Sequence, residues 1–197
     1  MLNVYGTDAH YISLSIKPLY ITKVDSNTVA VSCTSKTILI INICTGSVTS
    51  SIETSSRCYG IVYDENNLYV VNENEIDVMD LTGKFKSTIP IPSLNGRDIS
   101  VYKDTLVCID NKSIYYCSLD GTLKWQFKND KFKNLRGVTT DGEGNVYVTD
   151  EWTNIVCFVS DICNRFGDIL NGLENVLLVC NAHVGKAFLF DIKKELA

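Results

Sequence analysis

Residues 144–150 read GNVYVTD: a turn pair, a short alternation of β-branched and aromatic residues, and a closing aspartate. The same phrasing returns as NTVAVSC (27–33), NNLYVVN (66–72), DTLVCID (104–110) and NVLLVCN (175–181). Such runs, bounded by Asn, Asp or Gly, have the composition of strands. Their closing residues Cys33, Asn72, Asp110 and Asp150 fall 39, 38 and 40 positions apart, and only the step from Asp150 to Asn181, at 31, breaks the rhythm. A period near forty residues identifies a repeat architecture before any single element is assigned.

Working outward, each run has the same neighbours. Upstream lie YGIVYD (59–64), RDISVY (97–102) and RGVTTD (136–141); downstream lie TILIINI (37–43), EIDVMDL (75–81), SIYYCSL (113–119) and NIVCFVS (154–160). Thr45-Gly46, Thr82-Gly83 and Asp120-Gly121 then supply turns in which glycine accepts positive φ, leading into SVTSSIE (47–53), KFKSTIP (84–90) and TLKWQFK (122–128). Four antiparallel strands per repeat make a propeller blade. No long segment carries the 3.6-residue helical period, so the expected class is all-β.

The expected architecture is an incomplete β-propeller of about four to five blades, over 19–55, 56–92, 93–130, 131–170 and a truncated 171–197. Residues 10–18 (HYISLSIKP) are expected to be the outer strand of a preceding or closing blade. The stretch 161–175, DICNRFGDILNGLEN, is too short for a fourth strand, a linker and the next first strand, so one strand is expected to be missing there.

Composition narrows the function. Of 197 residues 45% are hydrophobic and 21% charged, as in ordinary globular proteins, which excludes a disordered chain. The net charge of −5 argues against a nucleic-acid or anionic-membrane partner contacted over the whole surface. Neither a leader-like N-terminus nor an 18-residue apolar run occurs, so a cytoplasmic location without membrane contact is expected. The eight cysteines form no C-x-x-C pair and are expected to be free thiols, with Cys108, Cys117, Cys157 and Cys180 as small core residues.

Asp141, Glu143 and Asn145 alternate as in a calcium loop. Such a loop needs glycine at its sixth position and glutamate at its twelfth, where this chain has Val146 and Trp152. The stretch reads instead as the hairpin between a blade's first and second strands. His10 and His183 are too isolated for a triad or metal site, so no metal, cofactor, catalytic residue or small-molecule substrate is expected.

The segment LRGVTTDGEGNVYVTDEWTNIVCFVS (135–160) resembles the NHL repeat, and the order of blades resembles the C-terminal propeller of tripartite-motif (TRIM) proteins. That resemblance implies a partner-recognition propeller, for protein or RNA, serving a ubiquitin ligase. The zinc-binding RING and B-boxes of that family are absent from these residues, so no ligase chemistry is expected of them.

In propellers the lead-ins to the first strands and the loops between second and third strands emerge on one face. The lead-ins place Arg57 and Tyr59, Arg97, and Lys133 and Arg136 there, and the loop after Asp150 adds Trp152. Arginine's planar fork suits carboxylate, phosphate or aromatic partners, and an exposed tryptophan is a frequent interface anchor. The plainer alternative pairs these arginines with Asp110, Asp150 and Glu151 of the same chain. An RNA-binding alternative uses Lys124, Lys128, Lys131, Lys133 and Arg136, interleaved with Trp125, Phe127 and Phe132. Strand alternation, however, sets Trp125 and Phe127 on the face opposite the lysines. A third reading, a calcium-dependent propeller hydrolase or lactonase, needs inward acids, and Asp98 is the main candidate.

Overall fold

The computed structural model describes residues 12–72, 75–93, 95–153 and 155–159, and the backbone of strand segments 166–168, 176–181 and 186–191. Every regular element described is a strand, and none is a helix, so no helix there is long and apolar enough to cross a membrane. The chain divides into two compact units, Met1–Gly96 and Arg97–Ala197.

The first unit holds two four-stranded antiparallel sheets. Strands β1 (Pro18–Lys23), β2 (Thr28–Cys33), β3 (Thr37–Asn42) and β4 (Ser47–Glu53) pair in sequence order. So do β5 (Ile61–Asp64), β6 (Asn67–Val71), β7 (Glu75–Met79) and β8 (Phe85–Pro90). The second unit repeats the pattern in β9 (Asp98–Tyr102), β10 (Thr105–Ile109), β11 (Ser113–Ser118) and β12 (Leu123–Lys128). It does so again in β13 (Leu135–Thr140), β14 (Val146–Asp150), β15 (Ile155–Val159) and β16 (Phe166–Asp168). Strands β17 (Val176–Asn181) and β18 (Lys186–Asp191) form a separate two-stranded ladder. The fold is therefore all-β, built of four meander sheets of propeller-blade type.

Strand identity follows from burial on both faces. In β10, Leu106, Val107, Cys108 and Ile109 are buried without a break, which requires cover above and below the sheet. Ala30, Ile38, Ile40 and Ile52 of the first sheet close on Cys58, Ile61, Leu68, Val70 and Met79 of the second. In the second unit Val107, Ile109 and Ile114 meet Phe132, Leu135, Val138, Val146 and Val148. Each such aliphatic side chain contributes about 1.5–3 kcal/mol on leaving water. Outer strands show the opposite pattern: β4 is exposed at every position except Ile52. Gly46, Gly83 and Gly121 sit at φ of 68°, 84° and 86° in the turns between third and fourth strands, as the Thr-Gly and Asp-Gly pairs require.

Two expectations change. Of the strand expected over 10–18, residues 10 and 11 lie outside the described residues and 12–17 carry no strand; the first ladder begins at Pro18, which is geometrically compatible with a strand's first residue. Ile12, Leu14 and Ile16 instead lay alternate side chains on Val31, Cys33, Leu39 and Ile41, covering the second face of the first sheet. In the contraction after residue 160 the fourth strand survives in shortened form, β16 keeping three residues and pairing Cys157 to Val159 with Asp168 to Phe166, and the next described ladder, β17–β18, has two strands.

Candidate partner-binding site

The site is built at one end of the second unit, where the residue closing each second strand caps the turn that follows. Asp110 Oδ1 accepts the backbone N–H groups of Lys112 and Ser113, both at 2.8 Å. Asp150 Oδ1 likewise accepts those of Trp152 at 3.0 Å and Thr153 at 3.1 Å. In the first unit Asn72 Oδ1 takes the N–H of Glu75. An Asx cap satisfies turn donors that no ladder can reach, which accounts for the recurrence of Asn or Asp every forty residues or so.

Asp150 also reaches a second segment of the chain. Its second oxygen accepts the N–H groups of Lys133 at 2.6 Å and Asn134 at 3.0 Å, so one buried carboxylate fastens the lead-in of β13 to the loop after β14. Burial raises its pKa, but the four N–H donors together outweigh this and hold it below the usual carboxylate value. Glu151 sits above it: Oε2 accepts from Asn134 Nδ2 at 2.7 Å and pairs with Arg136 Nε at 2.8 Å, while its N–H binds the Asn134 carbonyl. Trp152 stands clear of this knot with 72% of its surface exposed.

The neighbouring sheet joins the same end. Arg97 Nε donates to Asn111 Oδ1 at 3.2 Å, and the Asn111 carbonyl accepts the N–H of Leu135. Lys133 Nζ reaches the Asp130 carbonyl at 2.8 Å. The structure thus gathers Lys133, Arg136 and Trp152 around Asp150 and Glu151, with Arg97 one loop away. Arg57, exposed, and Tyr59, half-buried, belong to the first unit.

The aromatics of the basic segment take up packing positions. Trp125 stacks on Tyr116 with centroids 4.9 Å apart and planes at 11°, and Phe127 meets Phe132 edge-on at 6.0 Å. Lys124 and Lys128 are exposed on the outer strand, Lys124 Nζ lying 5.8 Å from the Tyr116 ring centroid.

Two carboxylates raised by the sequence have internal duties. Asp141 Oδ1 accepts from Glu143 and Asn145 N–H, and Oδ2 from the Asn145 amide and the Tyr147 hydroxyl, which commits it to the β13–β14 hairpin. Asp98 Oδ2 accepts the Val138 N–H at 3.0 Å from within the seam between β9 and β13, and burial pushes its pKa up to about 7. Sequence reasoning missed the hub role of Asp150 and the clamp through Asn134. The forty-residue spacing of Asn72, Asp110 and Asp150 was the available signal.

The family described as the IFT140 second β-propeller matches residues 27–131, which run from the turn before β2 to the start of the lead-in to β13 and cover just over half of the chain. No curated protein matches it. The matching family differs from the NHL propellers of TRIM proteins that the repeat resembles, and the loops of 133–136 and 150–153 lie beyond the matched span. Four blade-type sheets and this match agree, and the chain belongs to the family of the IFT140 second β-propeller.

Proposed function

We propose that this chain is a non-catalytic module that recognises a protein partner in a cytoplasmic setting. The surface would be the end of the second unit formed by Arg97, Lys133, Arg136 and Trp152. One observation carries the reading: a tryptophan 72% exposed on a loop whose backbone is fixed by a buried carboxylate. A large aromatic held ready in place binds at low ordering cost. Arg57 and Tyr59 are the corresponding lead-in residues of the first unit. What weighs against the calcium-hydrolase reading is that its main acid, Asp98, is buried and holds the Val138 N–H. Substrate recruitment for a TRIM-like ubiquitin ligase is the narrower form of the proposal and rests on the NHL-like segment 135–160 and the resemblance in blade order.

The test is photo-crosslinking in cells from benzoylphenylalanine at position 152, with position 126 on the outer strand as control. A discrete adduct from 152 and none from 126 supports the reading, and ubiquitin on that adduct would support the ligase form. Equal labelling from both positions, or none from 152, overturns it.

A further inference from the structure

Among the described residues, the exposed charge of the second unit is divided between the two ends of its sheets. At the end bearing Trp152, Lys112, Lys128, Lys131 and Lys133 are exposed, against the exposed Asp130. Arg136 and Glu151 are partly exposed there and paired. Among the described residues, the remaining acids of that end, Asp98, Asp110 and Asp150, turn carboxylate oxygens onto backbone N–H groups. At the opposite end the turns expose Asp104, Asp120 and Glu143 against Lys103 and Lys124. A chain of net charge −5 therefore presents cations where the most exposed aromatic among the described residues stands.

We propose that this end binds an acidic peptide segment of a protein partner, whose carboxylates meet Lys133 and Arg136 while an apolar side chain lies against Trp152. The inference rests on the recognition reading above and adds the chemistry of the partner. The N–H groups of Lys133 and Trp152 bond the two oxygens of one carboxylate, which fixes both exposed residues beside Asp150. Glu151 orients the Arg136 guanidinium beside them. Charge complementarity of this kind sets partner choice and speeds encounter. A single-stranded nucleic acid would need a row of exposed rings on which to stack. Trp125 and Phe127 are instead half-buried against the core and Phe132 is fully buried, which favours the peptide.

Fluorescence anisotropy on the full chain tests this with a fluorescein-labelled Glu/Asp-rich peptide carrying a central leucine, its Gln/Asn counterpart, and an oligouridylate of equal charge. The acidic peptide should bind at least about ten-fold more tightly than the neutral one. The exposed-site variants Lys131→Glu/Lys133→Glu and Trp152→Ala should each weaken it about ten-fold at an unchanged melting temperature, whereas Lys103→Glu/Lys124→Glu should not. Equal binding of acidic and neutral peptides, equal loss from both ends, or binding of the oligouridylate without the peptide would each overturn the proposal. Crosslinking from position 152 that persists while the acidic peptide fails to bind would sink this inference and leave the recognition reading standing.

Discussion

The two units share strand order, turn glycines and a closing Asn or Asp, yet they join their sheets differently. In the first unit the seam is mainly apolar, with two hydroxyl contacts: Ser32 Oγ donates to the Tyr59 carbonyl, and Thr22 Oγ1 accepts the Tyr63 N–H. In the second unit the seam between β9 and β13 is polar along its length. Asp98 takes the Val138 N–H, Ser100 and Thr140 share a hydroxyl contact at 2.9 Å, and the Tyr102 hydroxyl donates to the Gly142 carbonyl. All three contacts link residues forty apart, the period of the repeat itself. The same blade can thus be joined mainly by apolar packing with a few hydroxyl contacts or by a register of hydrogen bonds that includes a carboxylate, and only the second kind answers to pH.

The largest expected difference between the units lies at their second-strand caps. Asp150→Ala leaves four backbone donors, one buried and three part-buried, without their acceptor, and each unsatisfied donor costs on the order of 1 kcal/mol. Urea unfolding followed by circular dichroism should show a loss of about 3–5 kcal/mol. Asn72→Ala in the first unit, whose amide oxygen caps the Glu75 N–H, should lose less, about 1–2 kcal/mol. Equal losses would erase the difference between the two caps.

The next effect is the response to pH. Burial raises the Asp98 pKa to about 7, against the opposing N–H groups of Val138 and Ile99, so the folded state holds a proton that the unfolded chain releases near pH 4. The stabilising contribution of the protonated carboxyl is fully present below about pH 4 and is lost as pH rises towards 7. Three pH units correspond to roughly 4 kcal/mol as an upper figure. Asp150 is shifted the other way, so its contribution is present above the ordinary carboxylate pKa and fades under acid. Asp98→Asn keeps an acceptor for Val138 but cannot ionise. It should flatten the decline in stability between pH 4 and 7, and an unchanged decline would place its origin elsewhere.

Legibility in the sequence followed the periodicity of each feature. Strands, turn glycines and the packing of Trp125 and Phe127 were readable because alternation and the forty-residue spacing are properties of neighbours along the chain. The fate of 12–17 was not, since Ile12, Leu14 and Ile16 alternate like a strand whether or not another strand lies alongside. The shortened β16 was hidden for the related reason that three residues suffice for a ladder but make no pattern. At the site, Arg136 and Glu151 were named as possible partners from charge alone. The grip of Asp150 on Lys133 and Asn134 uses backbone groups, which every sequence has in equal number, so no residue type announced it.

The smallest effect separates two glycines that look alike in sequence. Gly83 lies in a β-turn of the first unit at φ 84°, and a Cβ there would stand 2.7 Å from Ile52 Cγ2, a branched side chain buried in the first sheet. Gly142 lies in the β13–β14 hairpin of the second unit, without positive φ, and a Cβ there would meet nothing within 4 Å. Gly83→Ala meets both backbone strain and a buried contact, and should lower stability by about 1–2 kcal/mol. Gly142→Ala meets neither and restricts the unfolded chain, so it should be neutral or stabilising by a few tenths of a kcal/mol up to about 1. Melting of the two variants side by side checks this, and a Gly142→Ala loss as large as that of Gly83→Ala would mean that the hairpin carrying the Asp141 bonds tolerates less than its open surroundings imply.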